Sequence, residues 1–184
     1  MQMLMEPFTS LDDYLAWVDQ RPDEEHYEVV EGVPVMSPSP TGWHQFALTQ
    51  LVLLLSPAGP ADHVVLPAPF DWVLWEAPRL QIREPDLVVV ARSEARAPRL
   101  TRAPLLAVEI LSPTSYERDA VAKRREYALA GLDHYWIVNP GAPQVAVYRR
   151  RGETFELVAQ AVDDAELVVT EPMSLRLRPS DLVV

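Results

Sequence analysis

Glu84-Pro85-Asp86-Leu87-Val88-Val89-Val90-Ala91 and Leu105-Leu106-Ala107-Val108-Glu109-Ile110-Leu111 are two short apolar runs, bounded by proline, and each carries a carboxylate. Runs of this length and β-branched content read as buried strands. Asp86 stands at the entrance of the first and Glu109 in the middle of the second. An ionised carboxylate in a buried strand costs several kcal/mol unless a cation or hydrogen bonds compensate it. A divalent metal bound by both Asp86 and Glu109 would be one such compensation. Beyond Leu111, Ser112-Pro113-Thr114-Ser115 opens a helix expected over 117–130. Thr114 and Glu117 have capping-box spacing at its start, and Gly131 suits the position past its end.

That helix carries Lys123, the only lysine among the sixteen basic residues; the other fifteen are arginines. A single lysine in an arginine-only background points to a task for a compact ammonium on a flexible stem, not a planar fork. Helical spacing puts Ala120, Lys123, Tyr127 and Ala130 on one stripe of core-type neighbours, which turns Lys123 toward the sheet. The plainer alternative is a surface lysine, snorkelling or paired with Asp119 four residues earlier.

Pro85-Asp86, then Glu109 in a following strand, then a lysine resembles the PD-(D/E)XK nuclease superfamily. Most members place the lysine two residues after the acidic one, where this chain has Leu111; its lysine lies fourteen positions after Glu109, on the next helix. The displaced arrangement resembles the Uma-type bacterial family of restriction-endonuclease-like proteins. So do Val108-Glu109-Ile110-Leu111-Ser112-Pro113, the Asp119…Lys123…Tyr127 helix, Tyr135-Trp136-Ile137-Val138 and Pro67-Ala68-Pro69-Phe70-Asp71, and the likeness spans roughly residues 26 to 150. It implies an α/β fold with a restriction-endonuclease-like αβββαβ core, a mixed sheet flanked by helices, and extra N-terminal and C-terminal β-hairpins. It also implies an endonuclease with Asp86, Glu109 and Lys123 as catalytic residues, and Mg²⁺ or Mn²⁺ held by Asp86 and Glu109. Glu28, His44, Asp71 and Tyr127 become candidate supporting residues, and Arg118, Arg124 and Arg125 candidate phosphate contacts.

Length and composition suit one soluble domain with an ample core: 184 residues, 48% hydrophobic and 23% charged. No apolar run reaches the roughly 18 residues needed to span a bilayer. Met1 to Met5 lacks a basic flank, so a signal peptide is not expected. Zero cysteines exclude disulfides and thiolate metal sites and fit a cytoplasmic protein. Net charge is −11, against the basic footprint usual for a nucleic-acid binder. The arginines cluster locally, at Arg92, Arg96, Arg99 and Arg102, at Arg118, Arg124 and Arg125, and at Arg149 to Arg151. DNA remains the partner the resemblance implies, with modest non-specific affinity. A single domain cutting both strands of a duplex needs two sites, so a homodimer is expected, with the Arg-rich hairpin and C-terminal strands available as its interface.

The remaining chain reads as an amphipathic helix over 10–20 capped by Ser10, then a hairpin at 27–36 turning on Glu31-Gly32. Glu28 lies in that hairpin, either toward the site or as an outward charge. A helix over 42–55 follows, capped by Thr41; His44 is on its apolar side, as a core histidine or a site residue. Residues 63–75 read as one strand interrupted by Pro67 and Pro69, with Asp71 inside it. Further strands are expected at 134–139 and 167–170, with a hairpin at 144–159 around Arg151-Gly152. No GxSxG, HExxH, P-loop or GxGxxG motif offers other chemistry. Two readings remain beside a nuclease: a non-cleaving module on the same fold, and a glycoside hydrolase using Asp86 and Glu109 as its acid/base pair, which leaves the lone lysine unexplained.

Overall fold

A computed structural model describes residues 6–112 and 118–184. In order the elements are α1 (Leu11–Val18), β1 (Tyr27–Val30), β2 (Val33–Met36), α2 (Gly42–Ala58), β3 (His63–Pro67), β4 (Trp72–Trp75), β5 (Gln81–Arg83), β6 (Leu87–Ala91), β7 (Leu106–Ile110), α3 (Arg118–Leu129), β8 (His134–Asn139), β9 (Gln144–Arg151), β10 (Thr154–Val162), β11 (Leu167–Val169) and β12 (Leu175–Leu177). The main sheet has six strands in the order β10-β9-β8-β7-β6-β3. Only β7 and β8 run parallel; the other neighbours are antiparallel. A parallel pair needs a crossover, and α3 supplies it. Within this sheet α2, β3, β6, β7, α3 and β8 form the expected αβββαβ series.

The central strands are apolar throughout because both of their faces are covered. Leu106, Val108 and Ile110 face one core with Ala47, Leu48, Leu51 and Leu55 of α2. Ala107 faces the other, with Tyr127 of α3 and Tyr135. Strand alternation puts Glu109 on the Ala107 side, under α3.

The N-terminal hairpin is more than an addition to this core. With β5 and β4 it forms a second sheet, ordered β2-β1-β5-β4, covered by α1 through Tyr14, Val29, Val73, Leu80 and Ile82. Residues 63–75 are therefore two strands and not one. β3 pairs with β6 in the main sheet, while β4 pairs with β5 in the second. Pro67 still pairs with Leu87 and Ala68 N donates to Asp86 O at 2.9 Å; the chain leaves the ladder beyond this, at Pro69, which has no N–H to offer. Asp71 precedes β4 instead of lying within a strand. β5 and β12, each three residues long and carrying an arginine, are too short for an alternation pattern to reveal.

Local signals hold where their chemistry is specific. Ser10 Oγ accepts from Asp13 N at 3.2 Å and Thr41 Oγ1 from His44 N at 3.3 Å, capping α1 and α2. Asn139 Oδ1 accepts from the N–H groups of Gly141 and Ala142 at 3.0 and 3.2 Å and shapes the turn between β8 and β9. The Thr114–Glu117 capping box lies outside the described residues. Among the described residues no helix is long and apolar enough to cross a membrane.

Three glycines, Gly32, Gly131 and Gly152, have positive φ, and the first two differ in what surrounds them. Gly131, φ +90°, ends α3 with open space around a built Cβ, whereas at Gly32, φ +79°, a Cβ would come within 2.6 Å of the Phe8 carbonyl oxygen. Gly32 also knits the N-terminal arm to the second sheet: its carbonyl accepts from Phe8 N and its N–H donates to Leu80 O, both at 2.8 Å. Gly131→Ala should therefore cost about 1–2 kcal/mol, the conformational term alone. Gly32→Ala should cost clearly more in urea unfolding, and equal midpoints for the two variants would refute this account.

Candidate active site at the seam of the two sheets

Between β5 and β6 the chain crosses from one sheet to the other in three residues, Glu84-Pro85-Asp86. A cleft of about 650 Å³ opens there, lined among others by Glu28, His44, Glu84, Asp86, Glu109 and Lys123. Leu87 pairs with Val108, so continuing the antiparallel register by one step sets Asp86 opposite Glu109. The backbone agrees, since Ile110 N donates to Asp86 Oδ2 at 2.6 Å.

Lys123 reaches this point from α3. Because the crossover helix must lie over the sheet to deliver β8 beside β7, a side chain on its inner face falls onto the Glu109 side of β7. Lys123 Nζ stands 3.0 Å from Glu109 Oε2 and 2.9 Å from Glu28 Oε1. One turn on, the Tyr127 hydroxyl donates to Glu109 Oε1 at 2.7 Å. Both oxygens of Glu109 are thus engaged from a single helix. His44, at the start of α2, places Nε2 3.0 Å from Asp86 Oδ1. Its Nδ1 is buried without a hydrogen-bond partner among the described residues.

Glu28, one of the supporting candidates, is a full member of the cluster. It accepts from Arg83 Nη1 at 2.7 Å and from Glu84 N at 3.1 Å, besides contacting Lys123. Arg83 also grips Glu126 of α3 with two parallel bonds of 2.7 and 2.9 Å. It ties β1, β5 and α3 together in a region where an unmatched charge is expensive. Asp71 is half-buried and off the cleft, its charge felt by Glu84 and Glu28. Arg124 lies over the Tyr148 ring at 5.5 Å and Arg125 is exposed; neither lines the cleft. The Arg118 side chain lies outside the described residues. In the C-terminal hairpin Arg149, Arg150 and Arg151 are paired with Glu171, Asp133 and Glu156 of this same chain.

Arg83, Glu84 and Glu126 do not stand out in the sequence. Glu84 and Arg83 adjoin the Pro85-Asp86 signal, but the strand that aims Arg83 is only three residues long. Glu126 looks like an ordinary charged residue between two buried-side positions.

The electrostatics follow from crowding. Burial pushes the Glu109 carboxyl up to about 7; Asp86 and Glu28 add to the rise while Lys123 and the Tyr127 hydroxyl oppose it. Burial, then Asp71 and Glu28, likewise lifts Glu84 to about 7. Burial alone would raise Glu28 as well, but Lys123 and Arg83 hold it below the ordinary range. Burial disfavours the Lys123 ammonium, yet Glu109, Glu28 and Asp86 outweigh it and keep the charge. Desolvation would lower His44, but its bond to Asp86 raises it on balance.

An αβββαβ series around a mixed sheet, with Asp86 and Glu109 at neighbouring strands and Lys123 reaching Glu109 from the crossover helix, is the arrangement expected of the restriction-endonuclease-like class. A family profile described as Uma2, putative restriction endonuclease, matches residues 11–179, and the chain belongs to this family. The crystal structure of a putative nuclease of the DUF820 family from Anabaena variabilis superposes with a TM-score of 0.73 at 22% identity, covering 94% of this chain and 96% of that one. That likeness establishes the shared fold. Comparison with curated proteins finds no match.

Two outcomes test the site. Arg83→Ala takes the guanidinium from Glu126 and leaves Glu28 with Lys123 as its cation, and should lower stability by about 3–5 kcal/mol in urea unfolding. Arg83→Lys should recover only part of this, because one ammonium cannot serve both carboxylates as the fork does. The second outcome concerns pH. A carboxyl whose folded value, about 7 for Glu109, exceeds its unfolded value of 4.5 binds more protons in the folded state between them. Stability of the metal-free protein should thus fall as pH rises through that window, and Glu109→Gln should flatten the slope. An unchanged slope would show that Glu109 titrates normally.

Proposed function

We propose that the chain is a divalent-metal-dependent DNA endonuclease that hydrolyses phosphodiester bonds in this cleft. The observation that carries the proposal is the Lys123 ammonium held between Glu109 and Glu28, 3.0 and 2.9 Å away, with Asp86 across the strand pair. The lysine absent from position 111 is thereby replaced in space by one from the next helix.

The residues fit a hard cation. Their donors are carboxylate oxygens, with no thiolate anywhere in the chain, which suits Mg²⁺ or Mn²⁺. Even with Lys123 alongside, Glu109 remains shifted up to about 7 by burial and by its like-charged neighbours, so the cluster is short of positive charge. Among the described residues no three His, Cys, Asp or Glu side chains form a ready-made cage, so the reading rests on the two carboxylates alone, with water completing the shell of such an ion. Asp86 and Glu109 would hold it; when bound, such an ion makes water more acidic and neutralises charge building on the phosphate.

The protein groups divide the remaining work. As the water oxygen bonds to phosphorus and the bond to the leaving sugar oxygen breaks, negative charge grows on the phosphoryl oxygens. Lys123, kept protonated by its carboxylate neighbours, donates a hydrogen bond to that charge. Tyr127 and His44 hold Glu109 and Asp86 in orientation. Glu28, itself fixed by Arg83, keeps the ammonium from swinging out to solvent.

The net charge of −11 favours one rival, a module that keeps the fold and binds without cutting. Supercoiled plasmid separates the two readings. Wild type should nick it with Mg²⁺ or Mn²⁺ and stop when chelator is added. Lys123→Ala and Lys123→Arg should each slow nicking by at least about 100-fold, the arginine failing because its planar fork does not fit the place of an ammonium. Calorimetry should show Asp86→Ala losing Mn²⁺ binding while Lys123→Ala retains it. Wild-type nicking by Lys123→Arg would remove Lys123 from the mechanism.

A further inference from the structure

One ammonium serves two carboxylates that are held very differently. Glu109 meets Lys123 Nζ through Oε2 at 3.0 Å, and its Oε1 accepts from the Tyr127 hydroxyl. Burial keeps its carboxyl raised to about 7 even so. Glu28 meets the same Nζ through Oε1 at 2.9 Å. It has two further donors, Arg83 Nη1 at 2.7 Å and Glu84 N at 3.1 Å. Burial would raise Glu28, but Lys123 and Arg83 hold it below the ordinary carboxylate range. Arg83 is in turn fixed by two bonds to Glu126. Glu28 is thus anchored by groups that have no part in holding Glu109 or Asp86, and its position does not depend on what those two bind.

Glu109 cannot take a divalent cation and keep the ammonium at 3.0 Å without cost, because two cations at one carboxylate repel, and strongly so where water is scarce. Lys123 has one short retreat. Its side chain is 12% exposed, so a move to water means leaving the cleft wall, whereas Glu28 already stands at contact distance with its charge and its anchors in place. A compact ammonium on a flexible stem can pivot between neighbouring oxygens, which a planar guanidinium cannot. The chain's only lysine stands where this motion is needed.

We propose that Lys123 is a resident counter-ion which Glu109 gives up to Glu28 when Asp86 and Glu109 take a divalent cation: the ammonium pivots from its place between the two carboxylates to a seat on Glu28 alone. Glu28 is then a positioning residue. It frees Glu109 Oε2 for the ion and keeps a protonated amine inside the loaded cleft, and no proton changes hands. The proposal rests on the divalent-metal part of the reading above, but its test follows the lysine and not cleavage. Because Lys123 is the only lysine, protein grown on ¹⁵N-lysine carries a single labelled side-chain ammonium. Mg²⁺ is titrated in and the signal followed by NMR, with calorimetry in parallel. The signal should move in step with the calorimetric curve and stay protected from water, its nuclear Overhauser contacts to Glu109 fading while those to Glu28 persist. In Glu28→Gln the metal-free signal should survive, since Glu109 still holds it, and be lost to exchange with water once Mg²⁺ binds. Lys123→Ala should bind Mg²⁺ about tenfold more tightly, an ordinary size for two coupled ligands. Contacts to Glu109 that survive Mg²⁺ saturation, a protected ammonium in Mg²⁺-loaded Glu28→Gln, or unchanged affinity in Lys123→Ala would overturn the proposal. The wild-type contacts decide the matter on their own should Glu28→Gln fail to fold. Absence of Mg²⁺ binding would remove the proposal and the metal reading together. The expected pivot without plasmid nicking would uphold the proposal and remove the nuclease reading instead.

Discussion

One lysine ammonium balances the acidic heart of this protein. Lys123 contacts two carboxylates at once, Glu109 on the main sheet and Glu28 on the second. The attraction between opposite charges in a poorly hydrated site is strong, but so is the cost of drying them. The cluster is therefore tolerable only as a whole. Arg83 extends it by binding Glu28 on one side and Glu126 on the other, so five charged side chains from β1, β5, β7 and α3 form one connected set.

This constraint explains the second sheet. A hairpin at the N-terminus of a nuclease-like core would ordinarily be an ornament, but here β1 delivers Glu28 and β5 delivers Arg83 to the wall of the cleft. The short link through Pro85 leaves little slack between that wall and β6. The cluster of Glu28, Arg83, Glu109 and Lys123 is consequently set by the packing of two sheets against α3, while loop residues, 37–41 among them, line the rest of the cleft.

The same crowding prepares the chemistry. With charges so close, a rise in Glu109 toward neutrality signals a place where additional positive charge is stabilising. Tyr127 and His44 each occupy one oxygen of a site carboxylate, orienting it from a different helix. On the C-terminal hairpin the arginines are instead satisfied by acidic neighbours of this same chain. Under the proposed nuclease reading, negative net charge and an acidic cleft require that substrate contacts be few and close.

Much of this was legible in the residues alone. Apolar runs around Asp86 and Glu109, the capping residues Ser10 and Thr41, the Glu31-Gly32 turn and the lone lysine are local signals, since each depends on the chemistry of neighbours in the chain. The pairing of Asp86 with Glu109 followed from two buried strands each carrying a charge. Three things depended on the tertiary structure. The inward aim of Glu28 rests on a sheet partner, β5, whose three residues are too few to show an alternation. The role of Arg83 exists only because Glu126, forty-three residues away in sequence, arrives at 2.7 Å. The contact of Lys123 with Glu109 depends on the parallel β7–β8 pair, which needs a crossover, and on α3 supplying that crossover on the Glu109 side of the sheet.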